Sequence, residues 1–268
     1  MRILIIRHAE PDYSIDSLTE KGWREARLLA ERLKQTTIDS IYCSPLGRAK
    51  DTISFYLQET KMEAVTCDWL REFSPRIDRP DHSDRDSIVW DWLPAHWTCQ
   101  EEFFRRDLWH THPAMQKGAV KQEYDWVTQG LDRILGGHGY QREGELYHAV
   151  HANRDTIALA CHFGVECVIL SHLVNTSPMT LWHHFCALPS SVTTLYTEER
   201  RDGTAVFRIT GFGDLSHLYA GGEDPSFMAR FCETYHDTHG ERRHSYQHLP
   251  AIGDCGHRCL RRSCDPLC

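Results

Sequence analysis

Long apolar runs and an excess of positive charge are both missing from this chain of 268 residues. No stretch approaches the roughly 18 apolar residues that a transmembrane helix needs, so we expect no membrane span. The apolar run at residues 3–6 is too short for the core of a secretory signal, which favours a cytoplasmic protein. Lys and Arg number 30 against 38 Asp and Glu, for a net charge of −8. This balance disfavours general nucleic-acid binding, because phosphate backbones attract basic surfaces.

Compositional bias is also absent, except in cysteine. With 41% hydrophobic and 25% charged residues, the chain has the composition of a globular protein. Collagen-like, coiled-coil and wholly disordered structures are therefore excluded. Seven of the 11 cysteines are scattered along the body of the chain, where we expect reduced thiols that act as small core residues. They are Cys43, Cys67, Cys99, Cys161, Cys167, Cys186 and Cys232.

The other four cysteines fall in a His- and Cys-rich segment, residues 236–268, which we interpret as a tail. They are Cys255, Cys259, Cys264 and Cys268. Four thiolates can bind Zn²⁺ in a tetrahedron, but this spacing departs from the closely paired cysteines of structural zinc sites. A zinc-binding tail and a loosely packed tail both remain open. Two histidine pairs are weaker metal candidates, because isolated pairs are usually surface or core residues: His110 with His112, and His183 with His184.

Alternating strand and helix patterns predict an α/β fold. The β-branched run Arg2–Arg7 is typical of a buried parallel strand, and Thr19 is a suitable N-cap for a helix to about residue 35. Further strands are predicted at 38–44, 64–70 and 156–162, helices at 45–60, 120–135 and 165–175, and a hairpin at 191–198 and 205–210. This order predicts a three-layer sandwich, with a mostly parallel central sheet flanked by helices.

The alternation breaks between about residues 74 and 117, where prolines and aromatic residues are concentrated. Four of the aromatic residues are Trp90, Trp92, Trp97 and Trp109. We expect an inserted, aromatic-rich lid subdomain within a catalytic domain that covers residues 1–235. The tryptophans would either line a lid over the site or form the subdomain's own core, since aromatic side chains dominate core burial. The sequence favours neither alternative.

Charged and imidazole side chains follow the predicted parallel strands at their carboxyl ends, where ligands of open α/β sheets bind. They are Arg7, His8, Arg48, Glu72 and His162. Guanidinium groups match phosphate oxygens in a bidentate geometry, and a neutral imidazole can attack phosphorus. A carboxylic acid can protonate the leaving oxygen. The set therefore predicts phosphoryl transfer.

The motifs around these residues resemble a known family. The segment RHAEP at residues 7–11 resembles the R-H-[GA] signature of the histidine phosphatase superfamily, which has the phosphoglycerate mutase-like fold. Three later segments match that family in order and spacing: LTEKG at 18–22, SPLGRA at 44–49 and CHFG at 161–164. The resemblance covers residue 1 to about residue 210 and is interrupted by the aromatic insertion.

The resemblance implies a role for each residue. His8 would be the nucleophile and become a phosphohistidine, while Arg7, Arg48 and His162 would hold the phosphoryl oxygens. Glu72 would be the general acid and then the base that activates water. Four insertion carboxylates are alternatives for that role: Asp81, Asp84, Glu101 and Glu102. A small phosphorylated substrate is implied as the partner, with no metal and no other cofactor.

The same fold hosts mutases, so the fold alone does not decide the reaction. Mutases of the family resemble R-H-G-[EQ]-S-x-x-N after the first strand, whereas residues 7–14 here are RHAEPDYS. The Ser and Asn that help to hold a phosphoglycerate are absent from those places, which favours a phosphatase. Phosphoglycerate mutase-type transfer and a zinc-binding interaction protein on a phosphatase fold remain the alternatives.

Overall fold

The computed structural model describes residues 1–81, 86–226 and 228. The predictions for Asp84, Cys232 and the 236–268 tail, including its four cysteines, lie outside the described residues. Within those ranges, no helix has the length and apolar character to cross a membrane.

The secondary structure follows the predicted order with shifted boundaries. The strands are β1 (Arg2–Arg7), β2 (Pro11–Asp12), β3 (Ser17–Leu18), β4 (Ser40–Cys43), β5 (Ala64–Thr66), β6 (Arg76–Ile77), β7 (Ser87–Ile88), β8 (Tyr140–Glu143), β9 (Leu146–Ala149), β10 (Thr156–Cys161), β11 (Val192–Arg201) and β12 (Thr204–Asp214). The helices are α1 (Glu20–Leu33), α2 (Gly47–Thr60), α3 (Pro94–Trp97), α4 (Pro113–Lys117), α5 (Val120–Gly137), α6 (Phe163–Leu173), α7 (Pro178–His184) and α8 (Ser216–Gly221).

The central sheet has the order β5-β4-β10-β1-β11-β12-β9-β8 in the described part of the chain. Strands β5, β4, β10 and β1 pair in parallel, and the pairings from β1 to β8 are antiparallel. The α/β class with flanking helices is confirmed. The sheet is mixed, however, with its parallel part confined to four strands. Short hairpins account for two of its four described antiparallel pairings, β11–β12 and β8–β9, because a two-residue connection can join only antiparallel strands.

One of these hairpins is the predicted one. Strands β11 and β12 turn at Asp202 and Gly203, where Gly203 has a φ of 74°. The other hairpin, β8–β9, was not predicted. It turns at Gly144, with a φ of 59°, and Glu145. Its strands alternate little between apolar and polar residues, so the period-2 signal is weak.

The side chains of β1 point alternately to the two faces of the sheet and pack against the two helix layers of the sandwich. Ile3 and Ile5 belong to a core cluster with α5, α6 and α7, whereas Leu4 and Ile6 belong to a second cluster with α1 and α2. Helix α1 begins as predicted, because the Thr19 side chain accepts a hydrogen bond from the N–H of Gly22 at 3.0 Å.

The segment after β5 departs from the prediction. A strand was expected over 64–70, but β5 ends at Thr66 and a 3₁₀ turn follows at Asp68–Leu70. Trp69 and Leu70 are both buried in the cluster with α5, so their side chains do not alternate across the sheet. Glu72 consequently lies in a loop beyond the turn.

The insertion packs directly onto this layer of the sandwich. Trp92, Trp97 and Trp109 are each at most 3% exposed and belong to the same cluster as Ile5. They therefore share the core of the sheet and are not a separate core of the insertion. Trp90 differs, because it is only partly buried and its Nε1–H donates to the carbonyl of Phe73 at 2.8 Å.

Candidate active site

Adjacent parallel strands bring two histidines to one edge of the sheet. In β1 and β10, Arg7 pairs with Cys161, so His8 and His162 leave their strands side by side. The N–H of His8 donates to the carbonyl of Cys161 at 3.0 Å, and the two imidazole centroids are 5.0 Å apart. Both residues are at most 2% exposed. The predicted convergence of the strand ends is therefore present for this pair.

A backbone contact determines the tautomer of His8. Its Nδ1 lies 2.8 Å from the carbonyl oxygen of Ala9, which can only accept, so Nδ1 carries the hydrogen and Nε2 has a lone pair. Burial, and then the charges of Arg7 and Arg48, hold the pKa of His8 well below its usual value. The imidazole is therefore neutral at neutral pH and has the lone pair that a nucleophile needs.

His162 is oriented by the loop that follows β4. The hydroxyl of Ser44 lies 2.7 Å from Nε2 of His162, and the N–H of Leu46 donates to the same hydroxyl oxygen at 3.2 Å. Since that oxygen already accepts from Leu46, we assign its own hydrogen to the contact with Nε2. Nδ1 of neutral His162 then carries the ring hydrogen. This buried Nδ1 has no hydrogen-bond partner among the described residues, so it is a donor available to a ligand oxygen.

Two guanidinium groups supply positive charge at the same edge. Arg7 is 3% exposed, donates to the carbonyl of Ala187 and lies 5.5 Å from the ring centroid of Phe163. Arg48, near the start of α2, forms an ion pair with Asp16 at 2.5 Å. The Nε of each arginine is buried and lacks a partner among the described residues. Both groups are therefore placed to bind an anion.

Asp16 is a site residue that the sequence interpretation missed. Its second carboxylate oxygen accepts the N–H of Gly47 at 2.7 Å, so it fixes both the start of α2 and the side chain of Arg48. Gly47 is required there, because a Cβ would lie 2.1 Å from the carbonyl oxygen of Asp16. No motif spacing signals Asp16; only the structure brings its loop to α2.

The carboxyl group of Glu72 belongs to the same set of groups. Its Oε1 accepts the N–H groups of Phe73 and Val165, at 2.8 and 3.3 Å. Burial raises the pKa of Glu72, against the opposing charge of Arg7. A carboxyl group with a raised pKa retains its proton longer as the pH rises, as a general acid requires. Gly164 permits this approach, since a Cβ there would lie 2.6 Å from Oε1 of Glu72.

The alternative carboxylates are engaged or lie elsewhere in the insertion. Asp81 is buried, pairs with Arg79 at 2.7 Å and accepts the N–H of Leu93 at 2.6 Å. Glu101 is exposed and Glu102 lies near His112, within a 3₁₀ turn of the insertion. Among the described candidates for the general acid, the charges of Arg7 and Arg48 act on Glu72. We refer to the five predicted residues as the strand-end cluster: Arg7, His8, Arg48, Glu72 and His162.

The histidine pairs that were weak metal candidates have structural contacts. Both ring nitrogens of His183 are engaged, since Nε2 accepts the N–H of Trp92 and Nδ1 lies 2.7 Å from the carbonyl of Met179. His112 caps α4 by accepting the N–H of Ala114 at 3.2 Å. Over the described ranges, no three His, Cys, Asp or Glu side chains are grouped to hold a metal ion.

Comparison with known proteins identifies the family. Residues 3–113 match the model of the histidine phosphatase superfamily (branch 1). "Probable phosphatase C1687.21" of Schizosaccharomyces pombe is 37% identical over 233 residues, which cover 81% of this chain and 95% of that protein. "Phosphoserine phosphatase 1" of Hydrogenobacter thermophilus is 23% identical over 223 residues, covering 78% of this chain and 93% of that protein.

The fold is also similar to solved structures. A phosphoserine phosphatase mutant from Entamoeba histolytica, in complex with phosphoserine, superposes with a TM-score of 0.54 at 18% identity. The match covers 81% of this chain and 98% of that chain, so it supports the fold and not a substrate. The motifs at the strand ends, the family match and the yeast relative agree. The chain therefore belongs to the histidine phosphatase superfamily and is a phosphatase.

Proposed function

We propose that this phosphatase hydrolyses small phosphomonoesters through a covalent phosphohistidine at Nε2 of His8. The observation that carries the proposal is the hydrogen bond from Nδ1 of His8 to the carbonyl of Ala9, which leaves Nε2 with its lone pair. Because burial lowers the pKa of the imidazole, that lone pair is not lost to protonation at neutral pH.

In the first step, Nε2 of His8 forms a bond to phosphorus while the bond from phosphorus to the ester oxygen breaks. The electron pair moves to the leaving oxygen, which receives the proton of the Glu72 carboxyl group. Arg7, Arg48 and Nδ1–H of His162 would bind the equatorial phosphoryl oxygens and stabilise their charge. Their buried, unpartnered N–H groups support this assignment.

In the second step, water attacks the phosphorus of the phosphohistidine. The carboxylate of Glu72 accepts a proton from that water, the N–P bond breaks, and its electron pair returns to Nε2 of His8. Phosphate leaves, and Glu72 is protonated again for the next cycle. A single carboxyl group thus serves both steps.

The proposed substrate class is a small phosphorylated metabolite. One supporting observation is that a relative covered over most of its length is named for phosphoserine. Another is Trp90, whose ring packs edge-on against the ring of Phe163 with 5.9 Å between the centroids. Trp90 also lies close to Gly164 and Glu72. We propose that Trp90 forms one wall for the leaving group, a smaller role than the aromatic lid expected from the sequence.

The test measures phosphate release from p-nitrophenyl phosphate and from phosphoserine, with a chelator present. We expect release by the wild type, none by His8→Ala, and normal activity in the control His151→Ala, whose side chain is exposed. An acid-labile phosphoprotein should be trapped in the wild type and in His151→Ala but not in His8→Ala. Full activity of His8→Ala would reject the mechanism, and efficient interconversion of phosphoglycerates would instead favour a mutase.

A further inference from the structure

A second carboxyl group is buried behind the strand-end cluster, on the first turn of α6. Glu166 is 1% exposed, and its N–H donates to the carbonyl of His162 at 3.0 Å. Neither of its carboxylate oxygens forms a close hydrogen bond among the described residues, and a weaker interaction with the Thr193 hydroxyl favours the carboxylate. An unpaired, buried carboxylate is unfavourable, so burial raises the pKa of Glu166 to about 7. The mechanism proposed above does not use this group.

The sheet register shows which groups face Glu166. Residues paired across adjacent strands point to the same face of a sheet. Arg7 pairs with Cys161, and Ile5 pairs with Thr193. Since side chains alternate, Arg7, Ile5 and their partners lie on one face, and α6 packs against β1. Glu166 therefore lies on the same face of the sheet as Arg7, and the charge of Arg7 acts on its carboxyl group without a direct hydrogen bond between the two side chains.

Few charged groups lie near the carboxyl group of Glu166. The charge of Arg7 lowers the pKa of Glu166 and the charge of Glu72 raises it, while the Thr193 hydroxyl also lowers it. Helix α5 contributes a phenol that bonds to Ser171, one turn further along α6, and α7 contributes the fully engaged imidazole of His183. The charges that act on Glu166 itself are those of Arg7 from β1 and Glu72 from the loop after β5. The other titratable groups against α6 are Cys161 from β10, Cys167 on α6, Tyr124 and Asp132 from α5, Arg142 from β8 and His183 from α7. Asp132 lies 2.9 Å from His172 at the far end of α6, and Arg142 donates to the carbonyl of His172.

We propose that Glu166 is a positioning residue that takes up one proton from solvent when an oxyanion dianion binds to the strand-end cluster. Without a ligand, the guanidinium group of Arg7 stabilises the carboxylate of Glu166. A bound dianion offsets that positive charge and adds negative charge nearby, so the carboxylate becomes less favourable and is protonated. The inference rests on the proposed function only in that Arg7 binds the phosphoryl group.

The linkage is reciprocal, so the proton on Glu166 strengthens anion binding by the same factor by which the anion strengthens proton binding. A neutral carboxyl group near the site does not repel the bound dianion and does not offset the charge of Arg7. Protonation of Glu166 would thus favour binding of the phosphoryl group when substrate enters. Product phosphate would dissociate more readily as the pH rises, because the deprotonated carboxyl group again adds negative charge near the anion.

The test uses the full chain with sulfate, a dianion that does not itself exchange protons near neutral pH. Titration calorimetry in two buffers of different ionisation enthalpy gives the number of protons taken up, between pH 6 and pH 8.5. If the bound dianion raises the pKa of Glu166 by about one unit from about 7, the sulfate Kd of the wild type rises about sevenfold over this range. Glu166→Gln is permanently neutral and should lose this part of the proton uptake and of the pH dependence.

A matched control is available on the opposite face of the sheet. Glu25 of α1 is also fully buried, and burial raises its pKa to about 7 as well. The charges that act on it come from Glu10, Lys21 and Glu223, not from Arg7. Glu25→Gln should therefore bind sulfate with the proton uptake and pH dependence of the wild type.

The outcomes separate this inference from the proposed mechanism. Equal proton uptake by the wild type and Glu166→Gln overturns the inference, even if hydrolysis still depends on His8. A failure of sulfate to bind overturns it as well. Lost uptake in Glu166→Gln together with full hydrolysis by His8→Ala would support the linkage and reject the mechanism. Should Glu166→Gln not fold, infrared difference spectra decide: sulfate should produce a protonated-carboxyl band in the wild type that persists in Glu72→Gln, and its absence contradicts the inference.

Discussion

The hydroxyl of Ser44 lies 2.7 Å from Nε2 of His162 and holds the ring of that histidine in the orientation that leaves Nδ1 without a partner among the described residues. The strand register creates this contact. Strand β4 pairs with β10, and the N–H of Ser44 continues the ladder by donating to the carbonyl of Ala160 at 2.9 Å. Because the ladder fixes the backbone of Ser44, its hydroxyl can orient the imidazole before substrate binds.

Ser44→Ala should therefore lower kcat/KM while the fold is retained. Loss of one hydrogen bond of about 1 kcal/mol corresponds to a roughly fivefold effect, and the imidazole would then sample both tautomers. Steady-state kinetics gives the first result, and ¹⁵N NMR of the His162 ring gives the second. The control is Ser54→Ala, whose hydroxyl bonds to the carbonyl of Asp51 within α2. An unchanged tautomer in Ser44→Ala would contradict the assigned orientation.

The loss of rate on substitution of Glu72 should depend on how strongly the leaving oxygen requires protonation. In Glu72→Gln no proton can be delivered to the leaving oxygen, so we expect kcat for alkyl phosphates to fall roughly 10²- to 10⁴-fold. For p-nitrophenyl phosphate, which has a good leaving group, the rate of the phosphorylation step should fall much less. Presteady-state measurement of p-nitrophenol release isolates that step. Equal losses for both ester types would argue against Glu72 as the general acid.

The pH dependence of kcat/KM should reflect the ionisation of His8 and Glu72. The pKa of His8 is well below its usual value, so its lone pair persists into the acidic range. The pKa of Glu72 is raised by burial, so its proton is lost only as the pH rises through that higher value. We expect kcat/KM for alkyl phosphates to fall on the alkaline side, and this limb to vanish in Glu72→Gln. An alkaline limb that persists in the variant would assign it to another group.

Gly164→Ala should damage the site more than the fold. A Cβ would lie 2.6 Å from Oε1 of Glu72 and 2.7 Å from Nε1 of Trp90, so both of these side chains, or the backbone of Gly164, must move. A displacement of about 1 Å at a catalytic group can cost about a hundredfold in rate, and we expect a kcat loss of this order with a near-normal melting temperature. Gly136→Ala is the control, because nothing lies within 4 Å of its Cβ position. Equal activity of both variants would show that the site tolerates the methyl group.

Sequence could predict the strand-end cluster because parallel strands place their carboxyl ends together. His8 and His162 follow strands whose β-branched and apolar residues give an unambiguous signal. Asp16 could not be predicted, since its loop reaches α2 only through tertiary packing. The mixed half of the sheet was harder, because β8 and β9 are short and largely polar. The sequence does mark Glu166 as unusual, because it is a carboxylate within an otherwise apolar helix. Its spacing from Arg7 along the chain does not predict that the charge of Arg7 acts on it.

Glu25 should make the stability of the protein depend on pH. Burial raises its pKa from 4.5 to about 7, so the folded state binds this proton more tightly than the unfolded state. The stabilisation is present below pH 4.5 and is lost as the pH rises through about 7, up to about 3 kcal/mol in total. Glu25→Gln keeps the acceptor for the N–H of Glu10 and removes the charge.

We therefore expect Glu25→Gln to raise the free energy of unfolding at pH 8 and to change it little at pH 5, measured by urea denaturation at both values. The comparison variant is Glu31→Gln on the same helix, whose side chain is 58% exposed and bonds only at the surface to Lys34. It should leave the difference between the two pH values unchanged. If Glu25→Gln instead destabilised the protein at pH 8, the carboxylate would have to be stabilised in the folded state by a partner, because burial alone makes its ionisation unfavourable.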